Sequence, residues 1–300
     1  MRASIDYGNN GSLVNVAYTN LLAHSLGIKA TKDVFWTYDS RKVPGAWQGW
    51  GKHGPIKNYT GLINYTHPQL DAIVATLTGP VVFGDAINYT NKSLLMSCCR
   101  TDGKILRASI SLLPIDAYFS NEKGRYPGGH VWVVSSTGLG WYVVGFGIPG
   151  GYTLRSSDLY PKSSAAVHVY REFNWGTCQD GAAWSECVKR WDNGVDSSAP
   201  YFPDGAPYPA YSNCSHTYMS IYPMLDGGFV LLGELSKYAS VSTDRFTGVQ
   251  GGSKLSVTVH GVAGETVDVT ALVPSSAGKK VRVHRVVFKG DESTIQVNFH

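Results

Sequence analysis

The segment from Thr66 to Arg107 constrains the fold most, because a helix signal and a short apolar run follow each other within it. Thr66 and Gln69 form a capping-box pattern. The next apolar residues recur at helical spacing and predict one buried helix face: Leu70, Ile73, Val74 and Leu77. Gly79-Pro80 is expected to end this helix.

The apolar run Val81-Val82-Phe83 is typical of a strand that is buried on both faces, and Gly84-Asp85 ends it. A helix that leads into a short buried strand is the repeating unit of a (β/α) barrel, in which chemistry occurs at the C-terminal ends of the strands. An Asp102-Gly103 turn then precedes a change to period-two alternation. We therefore expect the segment to be the last unit of a barrel and the entry to a β domain.

Residues 1–104 read as strand, helix, strand, long loop, helix, strand and helix. This order corresponds to about three of the eight units of a (β/α)8 TIM barrel, and a complete barrel needs about 250 residues. A three-strand fragment would expose its strand edges. Two alternatives therefore stay open: the chain is a truncated gene product, or a smaller α/β arrangement packs on the β domain.

Residues 105–300 are predicted to form a C-terminal antiparallel β-sandwich, because short strand-like segments are separated by Gly-rich turns. These segments are 131–134, 141–146, 166–170, 229–232, 255–260, 266–272, 281–288 and 294–299. Residues 173–222 are rich in Gly, Pro, Trp, Cys and Asp. We expect them to form an inserted loop held by a disulfide.

Composition excludes several classes of function. Hydrophobic residues make up 43% of the chain and charged residues 16%, as in a globular protein. No apolar run reaches the roughly 18–20 residues of a membrane span, so no membrane partner is expected. The net charge is only +4 and no Lys/Arg cluster stands out in the sequence, so nucleic acid is not implied. The Cys and His spacings match no zinc site, and neither a metal nor a cofactor is predicted.

The cysteines and glycosylation sequons favour a secretory route. Cys178 and Cys187 are spaced so that a disulfide between them would close a short loop, although connectivity cannot be read from sequence. Six sequons occur, at Asn10, Asn58, Asn64, Asn88, Asn91 and Asn213. The first residues have no apolar signal-peptide core. We therefore expect that a more N-terminal segment with a signal is missing from the chain.

Several passages resemble glycoside hydrolase family 36, which includes α-galactosidases and plant raffinose synthases. Arg2-Ala3-Ser4-Ile5-Asp6-Tyr7 is similar to the Arg-x-Ser-x-Asp-aromatic motif of that family, and Asp33-Val34-Phe35-Trp36-Thr37 resembles the next strand end. Gly79 to Asp85 and Asp102 to Arg107 resemble its Gly-Pro-Val-Tyr-Val-Ser-Asp and Asp-Gly-Ser-Ile-Leu-Arg passages. The resemblance covers residues 1–147 and implies the C-terminal half of a clan-D glycosidase.

This resemblance implies that Asp6 is the general acid/base, and it makes Arg2, Trp36 and Asp85 candidate substrate-binding residues. Trp36 could either stack on a sugar or plug the mouth of the barrel. Thr37 stands where the relatives usually have an Asp, which makes substrate contact there doubtful. The family's nucleophile lies in a Lys-x-Asp segment upstream of the first motif, so the resemblance assigns it to no residue of this sequence. Retaining glycosidases need two carboxyls about 5–5.5 Å apart, so we expect little or no hydrolysis by residues 1–300.

The aromatic residues allow two interpretations. The chain has 18 Tyr and 8 Trp, whose flat apolar faces suit sugar rings but also fill β-sandwich cores. Trp47 and Trp50 lie in a long Gly-rich loop, which makes them candidate sugar platforms. Asp85 could instead anchor its loop by accepting hydrogen bonds from nearby amides. The predicted function is a glycoside hydrolase-like protein acting on α-galactosides or other α-glycosides. The alternative is a non-catalytic module that binds carbohydrate or has a structural role.

Overall fold

Antiparallel β-sheet dominates the computed structural model. It describes residues 21–28, 35, 37–38, 68–85, 87–118, 130–146, 148, 151–173, 176, 178–203, 216–276, 278–290 and 292–300. In this part of the chain the strands are β1 (Leu113–Pro114), β2 (His130–Ser135), β3 (Trp141–Phe146), β4 (Tyr152–Thr153), β5 (Val167–Glu172), β6 (Lys189–Asp192), β7 (Tyr201–Phe202), β8 (His216–Pro223), β9 (Val230–Gly233), β10 (Phe246–Gln250), β11 (Leu255–His260), β12 (Thr266–Ser275), β13 (Gly278–Val287) and β14 (Thr294–Phe299).

The described helices are short. They are α1 (Pro68–Thr78), α2 (Lys92–Met96) and a helical stretch at 21–25, together with 3-10 helices at Asp116–Tyr118, Ser156–Asp158, Trp184–Glu186, Asp196–Ser198 and Asp226–Gly228. The helix predicted after Thr66 is confirmed as α1. Its residues from Leu70 to Thr78 are all buried, so it is surrounded by other elements instead of presenting one face to solvent. Asn91 caps α2, because its side chain accepts a hydrogen bond from the Leu94 amide.

The largest sheet has six strands in the order β1-β2-β3-β8-β5-β6, and every neighbouring pair is antiparallel. Side chains alternate between its two faces, so each face packs on a different core. Val143 and Met219 are cross-strand partners on one face, and Val144 and Tyr218 are partners on the other. Strand β8 lies in the centre of this sheet, although residues 173–222 were expected to be an inserted loop.

Two three-stranded antiparallel sheets, β10-β11-β14 and β13-β12-β9, form the C-terminal part. Strand β11 alternates buried and half-buried residues, as its sequence pattern predicts. The inward residues of both sheets belong to one hydrophobic core: Leu255, Val257, Val259, Val267, Val269, Val281, Val286, Val297 and Phe299. That core continues to the Tyr142 and Tyr218 face of the six-stranded sheet.

The predicted fold class, a partial (β/α)8 barrel followed by a β-sandwich, is wrong. The described chain is mostly β, in several small antiparallel sheets, and shows no helix-rich barrel. Parallel pairing within it is limited to one isolated bridge, between Phe35 and Phe83. Val82 and Phe83 are each 44% exposed, so the run that was predicted to be a strand buried on both faces is partly open to solvent. The strand prediction failed because apolar composition alone does not distinguish a barrel strand from an exposed apolar segment.

Two local predictions in this part of the chain are confirmed. Asp102-Gly103 forms a turn in which the Gly103 amide donates to Arg100 O, and Gly103 has a φ of 83°, which favours glycine. Cys178 and Cys187 form a disulfide. The bridge closes the loop that leads from β5 into β6.

Candidate functional site

Two chain segments that carry the sequence resemblance lie side by side. Phe35 and Phe83 form a parallel bridge, in which the Phe35 amide donates to Val82 O (3.3 Å) and the Gly84 amide donates to Phe35 O (2.9 Å). Because the segments are parallel, their C-terminal ends emerge at the same edge. Thr37 follows one segment and Asp85 follows the other.

Thr37 and Asp85 are joined by two hydrogen bonds. The Thr37 amide donates to Asp85 Oδ1 (2.7 Å), and the Thr37 hydroxyl donates to Asp85 Oδ2 (2.6 Å). Thr37 Oγ1 in turn accepts from the Asn91 amide at the start of α2 (2.7 Å). Thr37 is fully buried, so this chain of bonds fixes the orientation of the carboxylate.

An aromatic pair lies next to this network in the sequence. The rings of Tyr38 and Tyr89 are 5.7 Å apart and tilted, and Tyr89 is 45% exposed. We call Thr37, Tyr38, Asp85, Tyr89 and Asn91 the strand-end cluster. Each carboxylate oxygen of Asp85 has two lone pairs and uses one on Thr37, so each can accept one further bond. A fixed carboxylate acceptor near a partly exposed tyrosine ring is chemistry that suits a sugar.

The structure allows only a partial comparison with the predicted site residues. Arg2, Asp6, Trp36, Trp47 and Trp50 lie outside the described residues. Asp85 is described and accepts its bonds from Thr37, and its predicted contact with substrate stays a prediction.

The sequence did not identify Thr37, Tyr89 or Asn91 as members of a cluster. The available signals were the Thr37 departure from the family pattern and an Asn followed by a helix, which is a capping pattern.

A second candidate is a groove of about 270 Å³ at the start of α1. Gln69 borders it from α1, Glu172 and Phe173 from the end of β5, and His216 and Thr217 from β8. Phe173 packs against Tyr238, with ring centres 5.0 Å apart. An amide, a carboxylate and a hydroxyl around an aromatic ring also suit a polyhydroxyl ligand.

A larger cavity, of about 370 Å³, is lined by Arg171, Glu234 and Asp268 among others. Its two carboxylates are already paired, Glu234 with Arg245 and Asp268 with Arg285, each at 2.7–2.8 Å. This pairing favours a structural role for the buried Glu234, whereas the Asp268 pair is solvent-accessible and weak.

The chain matches no model of a protein family and none of the curated proteins to which it was compared. None of the described helices is both long and apolar enough to cross a membrane. The Cys178–Cys187 disulfide is compatible with a secreted protein, because disulfides persist in oxidising compartments.

Proposed function

We propose that the chain is a secreted, glycoside hydrolase-like protein that acts on α-glycosides, or derives from enzymes that do, with α-galactosides as the first candidates. The observation that supports this proposal is the strand-end cluster. Two passages that resemble the glycosidase family, ending at Thr37 and Asp85, are 48 residues apart in sequence and hydrogen-bonded to each other. The polar ends of the two passages therefore lie together, as a sugar-binding site requires.

In this proposal Asp85 orients the sugar by accepting hydrogen bonds from its hydroxyl groups, because Thr37 fixes both carboxylate oxygens. Asp6 is the proposed proton donor to the leaving group. A glycosyl-enzyme intermediate requires a second carboxylate as nucleophile, and the resemblance assigns none within the sequence. Residues 1–300 are therefore expected to bind α-galactosides and to hydrolyse them slowly or not at all.

The test compares binding and turnover on one preparation of residues 1–300. Binding of raffinose and methyl α-galactoside is measured by ligand-observed NMR, and turnover by release of nitrophenol from nitrophenyl α-galactoside. Asp85→Asn is expected to weaken binding by about fivefold or more, since a charged acceptor bond is lost. Asp226→Asn, at an exposed turn, is the matched control and should bind like wild type.

Absence of binding to every α-glycoside would refute the proposed function. Rapid turnover that Asp6→Asn abolishes would instead show that the chain supplies its own nucleophile, and the expectation of weak hydrolysis would be wrong.

The groove at α1 favours a second candidate, a non-catalytic carbohydrate-binding module. In that case Gln69→Ala and Glu172→Gln weaken binding, whereas Asp85→Asn has no effect. The three variants therefore distinguish the two sites.

A further inference from the structure

Strand β13 is strongly basic, although no Lys/Arg cluster was expected from the sequence. Residues 279–290 contain Lys279, Lys280, Arg282, Arg285 and Lys289 and no Asp or Glu. Lys280, Arg282 and Arg285 are exposed, with the Arg285 side chain 69% accessible. Side chains alternate between the two faces of a strand, so Lys280 and Arg282 share one face, about 6.6–6.8 Å apart along the strand, and Lys279 and Arg285 lie on the other. The cations therefore follow the extended strand in a row with members on both faces.

A second basic strand approaches β13 from a distant part of the sequence. Ala183 bridges to Lys280, and the Gly181 amide donates to Val281 O (2.8 Å), which places the segment before β6 alongside β13. Strand β6 begins with Lys189 and Arg190. Burial lowers the pKa of Lys279, and the positive charge of Arg190 lowers it further, so the cations of the two strands are close enough to repel each other.

We call Lys189, Arg190, Lys279, Lys280, Arg282 and Arg285 the basic surface. Three of its six cations form ion pairs with carboxylates that are half-buried or exposed. Asp192 pairs with Arg190, Asp180 with Arg282 and Asp268 with Arg285, and Glu186 is the remaining carboxylate between 180 and 192. Surface pairs of this kind are weak, so an anionic ligand can replace the carboxylates.

A structural explanation for the charges is weaker than a binding role. Charged side chains often protect the edge strand of a sheet from pairing with other chains, and β13 lies at the end of its sheet. This edge is already covered, however. Val281 exchanges backbone bonds with Gly181 and Ala182, and the Val283 amide donates to Asp180 Oδ1. Edge protection therefore does not require the row of cations.

The chemistry of the ligand follows from the shape and setting of this surface. Cations spaced along both faces of an extended edge strand fit a linear polyanion that follows the strand. Strands β6 and β13 contain no Tyr or Phe and their one Trp, Trp191, is buried, so the exposed ring that remains is the imidazole of His284. Proteins that bind single-stranded nucleic acid use several aromatic rings to stack successive bases. The Cys178–Cys187 disulfide lies in the segment that borders β13, and disulfides persist in oxidising compartments outside the cytosol. We propose that the basic surface binds a linear anionic polysaccharide, sulfated or carboxylated.

Heparin is the probe for the test, with binding to residues 1–300 measured by calorimetry over a series of salt concentrations. Lys280→Gln with Arg282→Gln removes two exposed charges from the surface. The control variant, Lys92→Gln with Lys162→Gln, removes two exposed lysines elsewhere, so the two double variants have the same net charge. The first pair is expected to weaken heparin binding by about tenfold. It should also reduce the number of ions released on binding by about two, which makes the salt dependence less steep. The control is expected to weaken binding by less than about twofold.

Three results would overturn the proposal. Equal losses in both variants would show that only overall charge matters. Tighter binding of oligo(dT) or poly(U) than of heparin at equal charge would identify nucleic acid as the partner. Absence of heparin binding at about 50 mM salt would show that no polyanion is bound, because electrostatic association is strongest at low ionic strength. If the first pair unfolds, Arg285→Gln with Lys189→Gln replaces it under the same criteria. The surface is separate from the strand-end cluster, so this test does not depend on binding of α-galactosides.

Discussion

Arg245 and Glu265 form a two-pronged ion pair in the interior, with Nη1 2.8 Å from Oε2 and Nη2 2.7 Å from Oε1. The Arg245 side chain is fully buried and also donates through Nε to Glu234 Oε2 (2.8 Å). Burial acts to raise the pKa of Glu265, but the hydrogen bonds and charge of Arg245 outweigh it and the pKa is lowered. Glu265 also accepts from the Thr101 amide, so the pair links the 100–104 turn to the C-terminal sheets.

We expect Arg245→Met to lower the free energy of unfolding by roughly 3–5 kcal/mol, because the buried Glu265 loses its cation and Glu234 keeps only Lys237, at 3.6 Å. Urea unfolding at neutral pH measures this loss. The matched control is Arg285→Met, which breaks a pair of similar geometry with Asp268 on the surface. Little change is expected there, since exposed pairs contribute little. Equal effects of the two variants would contradict the structural importance of the buried pair.

Lys237 attaches the end of α2 to the region of the Arg245–Glu265 ion pair. Its Nζ donates to Met96 O and Cys99 O, both at 2.8 Å, and its side chain is only 9% exposed. Lys237→Met is expected to lower the free energy of unfolding by roughly 2–3 kcal/mol, because charge-assisted bonds are lost and two part-buried carbonyls become unpaired. Hydrogen exchange should accelerate in residues 97–106 before it does in β11.

Lys254→Met changes an exposed lysine and serves as the control for that experiment. An unfolding free energy for Lys237→Met within about 0.5 kcal/mol of wild type would contradict the assigned role.

Local patterns in the sequence predicted individual strands, but they did not predict which distant strands pair. Strands β11 and β14 were predicted at their observed bounds, because their alternation reflects one buried face. The position of β8 between β3 and β5 depends on contacts across long stretches of chain that no local pattern records. The hydrogen bonds between Thr37 and Asp85 could not be predicted from the sequence for the same reason. The error at Val81-Val82-Phe83 arose because an apolar run has the same composition whether it is buried or exposed.

The thiols of the neighbouring residues Cys98 and Cys99 are expected to be unreactive in the folded protein. Burial raises the pKa of Cys98 to about 12 and also raises the pKa of Cys99. Since the thiolate is the reacting form, iodoacetamide at about pH 8 should modify both residues far more slowly than in urea. Peptide mass spectrometry over time measures this. Cys99 is half-buried and should react before the buried Cys98; the reverse order would contradict the structure.

His168 is expected to make the fold sensitive to acid. It is fully buried between Trp141 and Trp191, with ring centres at 5.8 and 5.3 Å, and its Nε2 lies 2.7 Å from Ser163 Oγ. In the described part of the chain its Nδ1 has no hydrogen-bond partner. Burial lowers the pKa of His168 from 6.5 to about 4. Between these values the unfolded chain binds a proton that the folded chain does not, so stability falls as pH decreases through this window.

The shift of the His168 pKa corresponds to about 3 kcal/mol of unfolding free energy, present above pH 6.5 and lost as the pH approaches about 4. His168→Phe keeps an aromatic ring between the two tryptophans and removes the titrating group. Urea unfolding at several pH values should therefore show a flatter pH dependence for this variant than for wild type. His284→Phe, at an exposed position, should retain the wild-type slope. Identical slopes for wild type and His168→Phe would show that His168 does not control acid stability. The loss would then have to come from other groups, such as Glu265, whose lowered pKa makes its contribution disappear at still lower pH.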